Sequence, residues 1–251
     1  MQDLFVIGDV HGKLDHLKTL LTKWNPDKEQ LVLLGDLIDR GDKSFGVILL
    51  ARELQEQYGA VIIGGNHEDL FLTWLDHPET EVDLYYPQGG RETIHSFFDQ
   101  PITFLKYPAE IATLLQKQFP DDIQFLRTLP NYYEHGDYVM VHAGVNLLLS
   151  DWKHSTHNDF RWIRNPFHYL KNETGKIFLF GHTPTKLLNA DKSYEPWISP
   201  CQTKIGLDGG AVFGGYLHGI HINGNKELTI HSVDKDLNLT KNIMTLMKTA
   251  L

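Results

Sequence analysis

Six residues of this sequence carry side chains suited to holding metal ions and recur in one kind of setting: Asp9 and His11, Asp36, Asn66, His142, and His182. Each stands just beyond a short apolar run. The set mixes imidazole with oxygen donors and contains no thiolate. That combination suits Mn²⁺, Fe or Zn²⁺ better than Ca²⁺. Six ligands are too many for one ion that must keep an open coordination position, but they suit two ions sharing a bridge. Two such ions, ~3.5–4 Å apart, can clamp an in-line displacement at phosphorus and supply hydroxide near neutral pH. Each residue alone has a plainer reading. Asp9 and Asp36 could cap helices, a lone His142 or His182 could be a satisfied structural histidine, and Gly8, Gly12, Gly35 and Gly41 could serve tight turns. Their order argues for one site: Gly-Asp-Val-His-Gly, Gly-Asp-Leu-Ile-Asp-Arg-Gly, Gly-Asn-His-Glu, His-Ala-Gly and Gly-His-Thr follow one another, each in the same context.

The elements that must position these residues are readable. Leu4 to Ile7, Leu31 to Leu34 and Val61 to Ile63 are short apolar runs of the kind that form buried strands. Between them, Leu14, Leu17, Leu20, Leu21 and Trp24 recur at helical spacing, and Phe45 to Tyr58 is helical with Gly59 as its cap. A third helix begins after Gly65. Strand, loop and helix thus repeat three times, which predicts an α/β fold with parallel strands and a site at the strand carboxyl ends. Tyr138 to Val141 and Ile177 to Phe180 are further strands. Residues 77–135, with helices expected over Leu105–Phe119 and Ile123–Leu129, are read as a helical insertion that covers the site or shapes specificity. Beyond about residue 203 the pattern turns to alternating strands, Tyr216 to Ile222 and Leu228 to Val233, with Asn223-Gly224-Asn225 as a hairpin turn. Residues 1–251 read as one domain, with 240–251 as a loosely docked tail.

Composition narrows the partners. The 251 residues suffice for one domain with a substantial core, and 41% hydrophobic with 22% charged residues is an ordinary globular mix. The net charge is −9 with no Lys/Arg run, which argues against a nucleic-acid partner. Cys201 is the single cysteine, so no internal disulfide forms, and it reads as a structural or incidental thiol. The start of the chain has no secretory pattern and no apolar run approaches the ~20 residues of a membrane span. A cytoplasmic protein without a membrane partner is expected.

The motifs together resemble calcineurin-like metallophosphoesterases and, within them, the PPP-type protein phosphatases. The closest likeness is to small bacterial and phage serine/threonine phosphatases and to symmetrical diadenosine tetraphosphatases, from about residue 4 to 222. The resemblance implies a metallophosphoesterase-type β-sandwich flanked by helices. It implies that Asp9 and His11 hold a first metal, Asp36 bridges, and Asn66, His142 and His182 hold a second. His67 would be the general acid that protonates the leaving oxygen, oriented and kept charged by Asp39, because a neighbouring carboxylate raises a histidine pKa. Arg40 would grip the phosphate with its planar fork. Arg161-Trp162-Ile163-Arg164 resembles the Trp-Ile-Arg of the bacterial members, which places the second phosphate-binding arginine at Arg164 and leaves Arg161 as a surface charge. The chain departs from the family at Gly64, where many members carry arginine, and at Gly210. Asp208 could orient a ligand or simply form a turn; Glu68 looks structural.

The function implied is a two-metal phosphoester hydrolase acting on phosphorylated protein or a small phosphorylated substrate, with Mn²⁺ the expected pair of ions and Fe or Zn²⁺ as alternatives. The runner-up is a symmetrical diadenosine tetraphosphate hydrolase. An alternative of another class is an inactive phosphate-binding module, against which stand Asp36, Asp39, Asn66 and His67, all present. The acidic charge and the Asp-Arg-Gly motif disfavour a nuclease.

Overall fold

The computed structural model describes residues 2–98, 107–223 and 227–245. Strands β1 (Asp3–Ile7), β2 (Glu29–Leu33) and β3 (Val61–Ile62) pair in parallel, with α1 (Leu14–Leu21) and α2 (Ser44–Tyr58) as the crossovers. Gly59 ends α2 in the left-handed conformation, at φ 68°, as a helix-stopping glycine does. The sheet continues on the other side of β1 through β9 (Leu217–Ile222), β10 (Glu227–Val233) and β11 (Leu239–Thr245), all antiparallel, in the order β11-β10-β9-β1-β2-β3. A second sheet has the order β4-β5-β6-β8-β7, from β4 (Tyr132–His135), β5 (Tyr138–Val141), β6 (Ile177–Phe180), β7 (Trp197–Ile198) and β8 (Lys204–Gly206). Within it β5, β6 and β8 are parallel.

Alternation along the strands explains why the sheets stack. In β1, Leu4 and Val6 face the second sheet and join Val32, Met140, Leu179, Ile205, Ile220 and Ile230 in the apolar layer between the sheets. Phe5 and Ile7 face the other way and pack with Leu17, Leu20, Val47 and Ile48 of the helices. A strand buried on both faces must be apolar throughout, which is why these runs stood out in the sequence. The far face of the second sheet is covered by Trp152, Phe160 and Phe167, packed on Phe178 and Phe180. The result is a β-sandwich flanked by helices, in which the carboxyl ends of β1, β2, β3, β5, β6 and β8 meet along one edge.

Several features differ from the sequence expectations. Helices α3 (Asn66–Asp76), α4 (Pro78–Tyr85), α5 (Gly90–Ser96), α6 (Pro108–Gln118) and α7 (Pro120–Arg127) follow one another, but the segment read as helical to residue 135 ends in strand β4, which pairs with β5. Pro108 and Pro120 each stand at the first position of a helix, where proline's missing N–H costs nothing. Leu105, part of an expected helix, lies outside the described residues, as do Gly224 and Asn225 of the expected hairpin turn and residues 246–251 of the expected tail. The first part of that tail is not loose: Leu239–Thr245 pairs with β10 along its whole length. The short helix α8 (His157–Trp162) and strand β7 had no clear periodicity to announce them. No described helix is long and apolar enough to cross a membrane.

Candidate active site

The strand-end residues converge, and they do so on a strained backbone. His11, Asp36, Asp39, Arg40 and His182 all take left-handed conformations, with φ from 45° to 70°. For residues with a side chain this costs on the order of 1–2 kcal/mol each and persists only where the surroundings enforce it. Here they do. The backbone N–H groups of Val10 and His11 donate to the Asp36 carbonyl at 3.1 and 2.8 Å. Glu68, buried in the first turn of α3, accepts from the N–H groups of Gly65 (2.7 Å), Asp36 (3.0 Å) and Leu37 (2.8 Å). The structural role expected of Glu68 is thus to lock the Asp36 turn to the start of α3. The two Gly-Asp loops touch at Gly12 and Gly41, where a Cβ on Gly41 would stand 2.1 Å from the His11 carbonyl oxygen. Only glycine permits that approach.

The donor groups are arranged as a cation would require. His11 Nδ1 donates to the Ile38 carbonyl (2.8 Å), His142 Nδ1 to the Leu34 carbonyl (2.8 Å) and His182 Nε2 to the Trp162 carbonyl (3.2 Å). Each such bond fixes a tautomer and leaves the opposite nitrogen as a lone pair turned inward, the usual outer support of a metal-binding histidine. Two of those lone pairs face acceptors: His142 Nε2 lies 3.0 Å and His182 Nδ1 2.7 Å from Asn66 Oδ1, and His142 Nε2 is also 3.3 Å from the Asp36 carboxylate; His11 Nε2, 3.6 Å from Asp36, faces the Arg40 guanidinium instead. Lone pair against lone pair in a buried site repels unless a positive charge sits between. Asp9 Oδ2 accepts the His182 N–H at 2.9 Å, whereas Asp9 Oδ1 is buried with no partner. Two groups of possible ligands, His11–Asp36–His67 and Asp36–His142–His182, each have ligand atoms within 4.8 Å of one another, and both contain Asp36. The residues present therefore fit a pair of divalent cations bridged by Asp36.

Electrostatics point the same way. Burial raises the Asp9 carboxyl, and the neighbouring Asp208 and Asp36 carboxylates raise it further. Burial likewise raises Asp208, to about 6. Burial also works against the ionised Asp36, yet positive charge on the imidazoles around it, His142, His67, His11 and His182 in their protonated forms, outweighs burial and holds its carboxyl low. Desolvation lowers His11, His142 and His182, the last to about 2, so these rings are neutral and free to coordinate. His67 goes the opposite way. Burial disfavours its cation, but Asp36 and Asp39 prevail and its pKa is raised. Its Nδ1 donates to Asp39 Oδ2 at 2.7 Å, and its Nε2 lies 4.0 Å from Asp36 Oδ2. His67 is the one imidazole of the cluster whose pKa is raised while those of His11, His142 and His182 are lowered, which separates it from the ligand set despite its proximity.

Arg40 reaches into the site, its Nη1 donating to His11 Nε2 at 2.6 Å. Arg164 lies at the exposed rim, with Nη2 3.4 Å from the His182 carbonyl. Arg161 corrects the reading of it as a surface charge. It is buried, and its guanidinium donates to Asn131 Oδ1, the Gly65 carbonyl, the Leu129 carbonyl and Asp69 Oδ1 at 3.1–3.2 Å. It fills the space beside Gly64, where a Cβ would stand 2.1 Å from Arg161 Nη1. The arginine missing at position 64 is thus matched by one arriving from α8. Asp208 accepts the Gly210 N–H at 3.0 Å and forms a turn, yet stands close enough to Asp9 to raise it and to Asp36 to be raised by it. The sequence reading missed the residues that hold Asp39. Tyr85 Oη and Thr93 Oγ1 donate to Asp39 Oδ1 at 2.8 and 2.6 Å, which leaves Oδ2 for His67; all four are buried. No spacing in the sequence marks Tyr85 or Thr93, since both come from the helical segment that carries no motif.

Comparison with known proteins agrees with this geometry. The model of the calcineurin-like phosphoesterase family matches residues 3–229. The chain is 28% identical over 242 residues to an asymmetrical bis(5′-nucleosyl)-tetraphosphatase of Anoxybacillus flavithermus, covering 84% of this chain and 87% of that one. It is also 28% identical over 224 residues to serine/threonine-protein phosphatase 1 of Salmonella typhimurium, covering 85% and 89%. In fold it is similar to a cold-active protein-tyrosine phosphatase of a psychrophilic Shewanella, with a TM-score of 0.60 at 18% identity, over 96% of this chain and 80% of that one. The expected β-sandwich and the expected phosphoester chemistry both follow, and the chain belongs to the calcineurin-like phosphoesterase family.

Proposed function

We propose that this hydrolase removes phosphate from monoesters, in proteins or small molecules, with two divalent ions, Mn²⁺ before Fe or Zn²⁺, held by Asp9, His11, Asp36, Asn66, His142 and His182. The observation that carries the reading is the meeting of the His142 and His182 lone pairs with Asn66 Oδ1 and the Asp36 carboxylate, beside a His67 whose pKa is raised instead of lowered. Bound ions would supply Lewis acidity and lower the pKa of water. The chain's own residues do the rest. Arg40 and Arg164 orient the phosphate and balance charge on its oxygens. His67 delivers its Nε2 proton to the leaving oxygen, and Asp39, fixed by Tyr85 and Thr93, accepts the Nδ1 proton and so keeps Nε2 turned into the site. The single free thiol fits a reducing compartment, and we place the enzyme in the cytoplasm.

A second reading, symmetrical hydrolysis of diadenosine tetraphosphate, draws its substrate class from the Anoxybacillus relative, whose name gives asymmetrical cleavage and whose identity equals that of the Salmonella phosphatase. The binding-module reading has no comparable support, because Asp36, Asp39, Asn66 and His67 are all present, and His67 is joined to Asp36 and Asp39 by hydrogen bonds. Hydrolysis by chelator-stripped protein, with and without Mn²⁺, separates these readings on a phosphoserine/phosphothreonine peptide and diadenosine tetraphosphate assayed side by side. Metal-dependent phosphate release from the peptide is expected. Preferential formation of nucleotides would move the enzyme to the dinucleotide hydrolases, and inertness toward both, with metal bound, would count against the monoesterase reading.

A further inference from the structure

One residue at the mouth of the site has no part in the chemistry above. Phe213 is a large apolar side chain left 56% exposed, yet its ring centroid lies 5.3 Å from the Arg40 guanidinium carbon. Arg40 in turn touches His11, so the ring stands one residue away from where the phosphate is gripped. Single exposed apolar residues are ordinary on protein surfaces; a stiffly mounted one over a site cation is less so. The short helical turn Ala211–Phe213 is bounded by Gly210 and Gly214, both left-handed with φ of 62° and 85°. Phe213 N–H and Gly215 N–H both donate to the Gly210 carbonyl, and Gly210 N–H donates to the buried Asp208. The loop therefore holds the ring in place and keeps much of it open to solvent.

We propose that Phe213 is a specificity residue: a platform on which a planar aromatic leaving group stacks while Arg40 holds its phosphate, so that the site favours aryl phosphates, such as the phenolic ester of phosphotyrosine, over the alkyl esters of serine and threonine. Aromatic pairs prefer centroid separations of about 4.5–7 Å. With Phe213 5.3 Å from the guanidinium carbon, a ring joined through one oxygen to a phosphate gripped by Arg40 can come within that range of it; a serine side chain offers no π-face. The proposal rests on the monoesterase reading for its substrate class, and its test includes a part that does not.

The experiment compares wild type, Phe213→Ala and Phe213→Tyr, loaded with Mn²⁺, on one peptide sequence carrying either phosphotyrosine or phosphoserine. The same three proteins are titrated calorimetrically with phenylphosphonate and methylphosphonate, which are not hydrolysed. The ratio of kcat/KM for the aryl over the alkyl ester falls by up to about tenfold in Phe213→Ala and is kept in Phe213→Tyr, as expected for one stacked pair. The ratio of phenylphosphonate to methylphosphonate affinity falls in parallel. If Phe213 merely steadies Arg40, Phe213→Ala lowers both members of each pair alike and the ratios stay at the wild-type value, which overturns the proposal. If the wild type hydrolyses neither peptide, the monoesterase reading fails, and the phosphonate ratio alone decides for or against the platform.

Discussion

At the scale of single residues, the site shifts one histidine opposite to its neighbours. The rings of His11, His142 and His182 are stripped of solvent and pinned to backbone carbonyls, so their cations are disfavoured. His67 is equally buried, but the carboxylates of Asp36 and Asp39 raise its pKa above the ordinary 6.5. The sign follows: a raised histidine stays protonated past its ordinary value, so proton delivery extends above pH 6.5 and fails as pH rises through the shifted pKa. His67→Asn lowers kcat by roughly 10²-fold, the usual contribution of a general acid, and leaves the metal content unchanged. Asp39→Asn moves the alkaline limb of the kcat profile to lower pH; an unmoved limb would show that Asp39 does not set the charge of His67. The motif residues were legible because each couples a side chain to a glycine that its turn requires. Tyr85 and Thr93 were not, because a hydrogen bond between residues 46 and 54 positions apart leaves no local pattern.

At the scale of elements, helix α3 is the pivot. Its first turn presents Asn66 and His67, its Glu68 fastens the Asp36 loop, and Arg161 ties the carbonyl just before it to the 129–131 segment. Loss of the buried guanidinium takes its bond from the Leu129 carbonyl, at about 1–3 kcal/mol, and leaves the Gly65 carbonyl with the longer bond from the Asp69 N–H at 3.4 Å. Arg161→Ala accordingly lowers the denaturation midpoint and kcat together, as chemical unfolding and steady-state kinetics will show. Gly64→Ala, harmless on an open surface, destabilises the wild type because its Cβ meets Arg161 at 2.1 Å, and is better tolerated once Arg161 is alanine. Additive effects of the two changes would contradict the packing described. The sequence placed α1, α2, β1, β2, β5 and β6 well, because each is an apolar run or stripe closed by glycine, asparagine or proline. It gave Arg161 the wrong environment, since a six-residue helix such as α8 shows too few turns for its buried face to be read.

At the scale of the whole molecule, the site exists only because two sheets bring their carboxyl edges together. His142, after β5 in one sheet, donates to Leu34, after β2 in the other, and the His182 N–H reaches Asp9 in the same way. Neither sheet alone assembles the donor set, so cation binding and the stacking of the sheets are linked, and ions that bind only the folded chain stabilise it by mass action. The parallel halves were foreseeable from repeated strand–helix spacing. That they stack as a sandwich followed from the family resemblance, because which strands pair depends on contacts far apart in the chain. The edge strand β11 was read as a tail since its alternation, Leu239-Thr-Lys-Asn-Ile243, is weak and much of it is polar.

The central claim is that Asp36 is shared by two cations. The most direct test is the Mn²⁺ content per chain of chelator-stripped and reloaded protein, wild type beside Asp36→Asn. Two ions per chain are expected in the wild type, with clear loss of bound metal and of phosphate release in the variant. One ion in the wild type, or two retained in Asp36→Asn, would contradict the bridged arrangement.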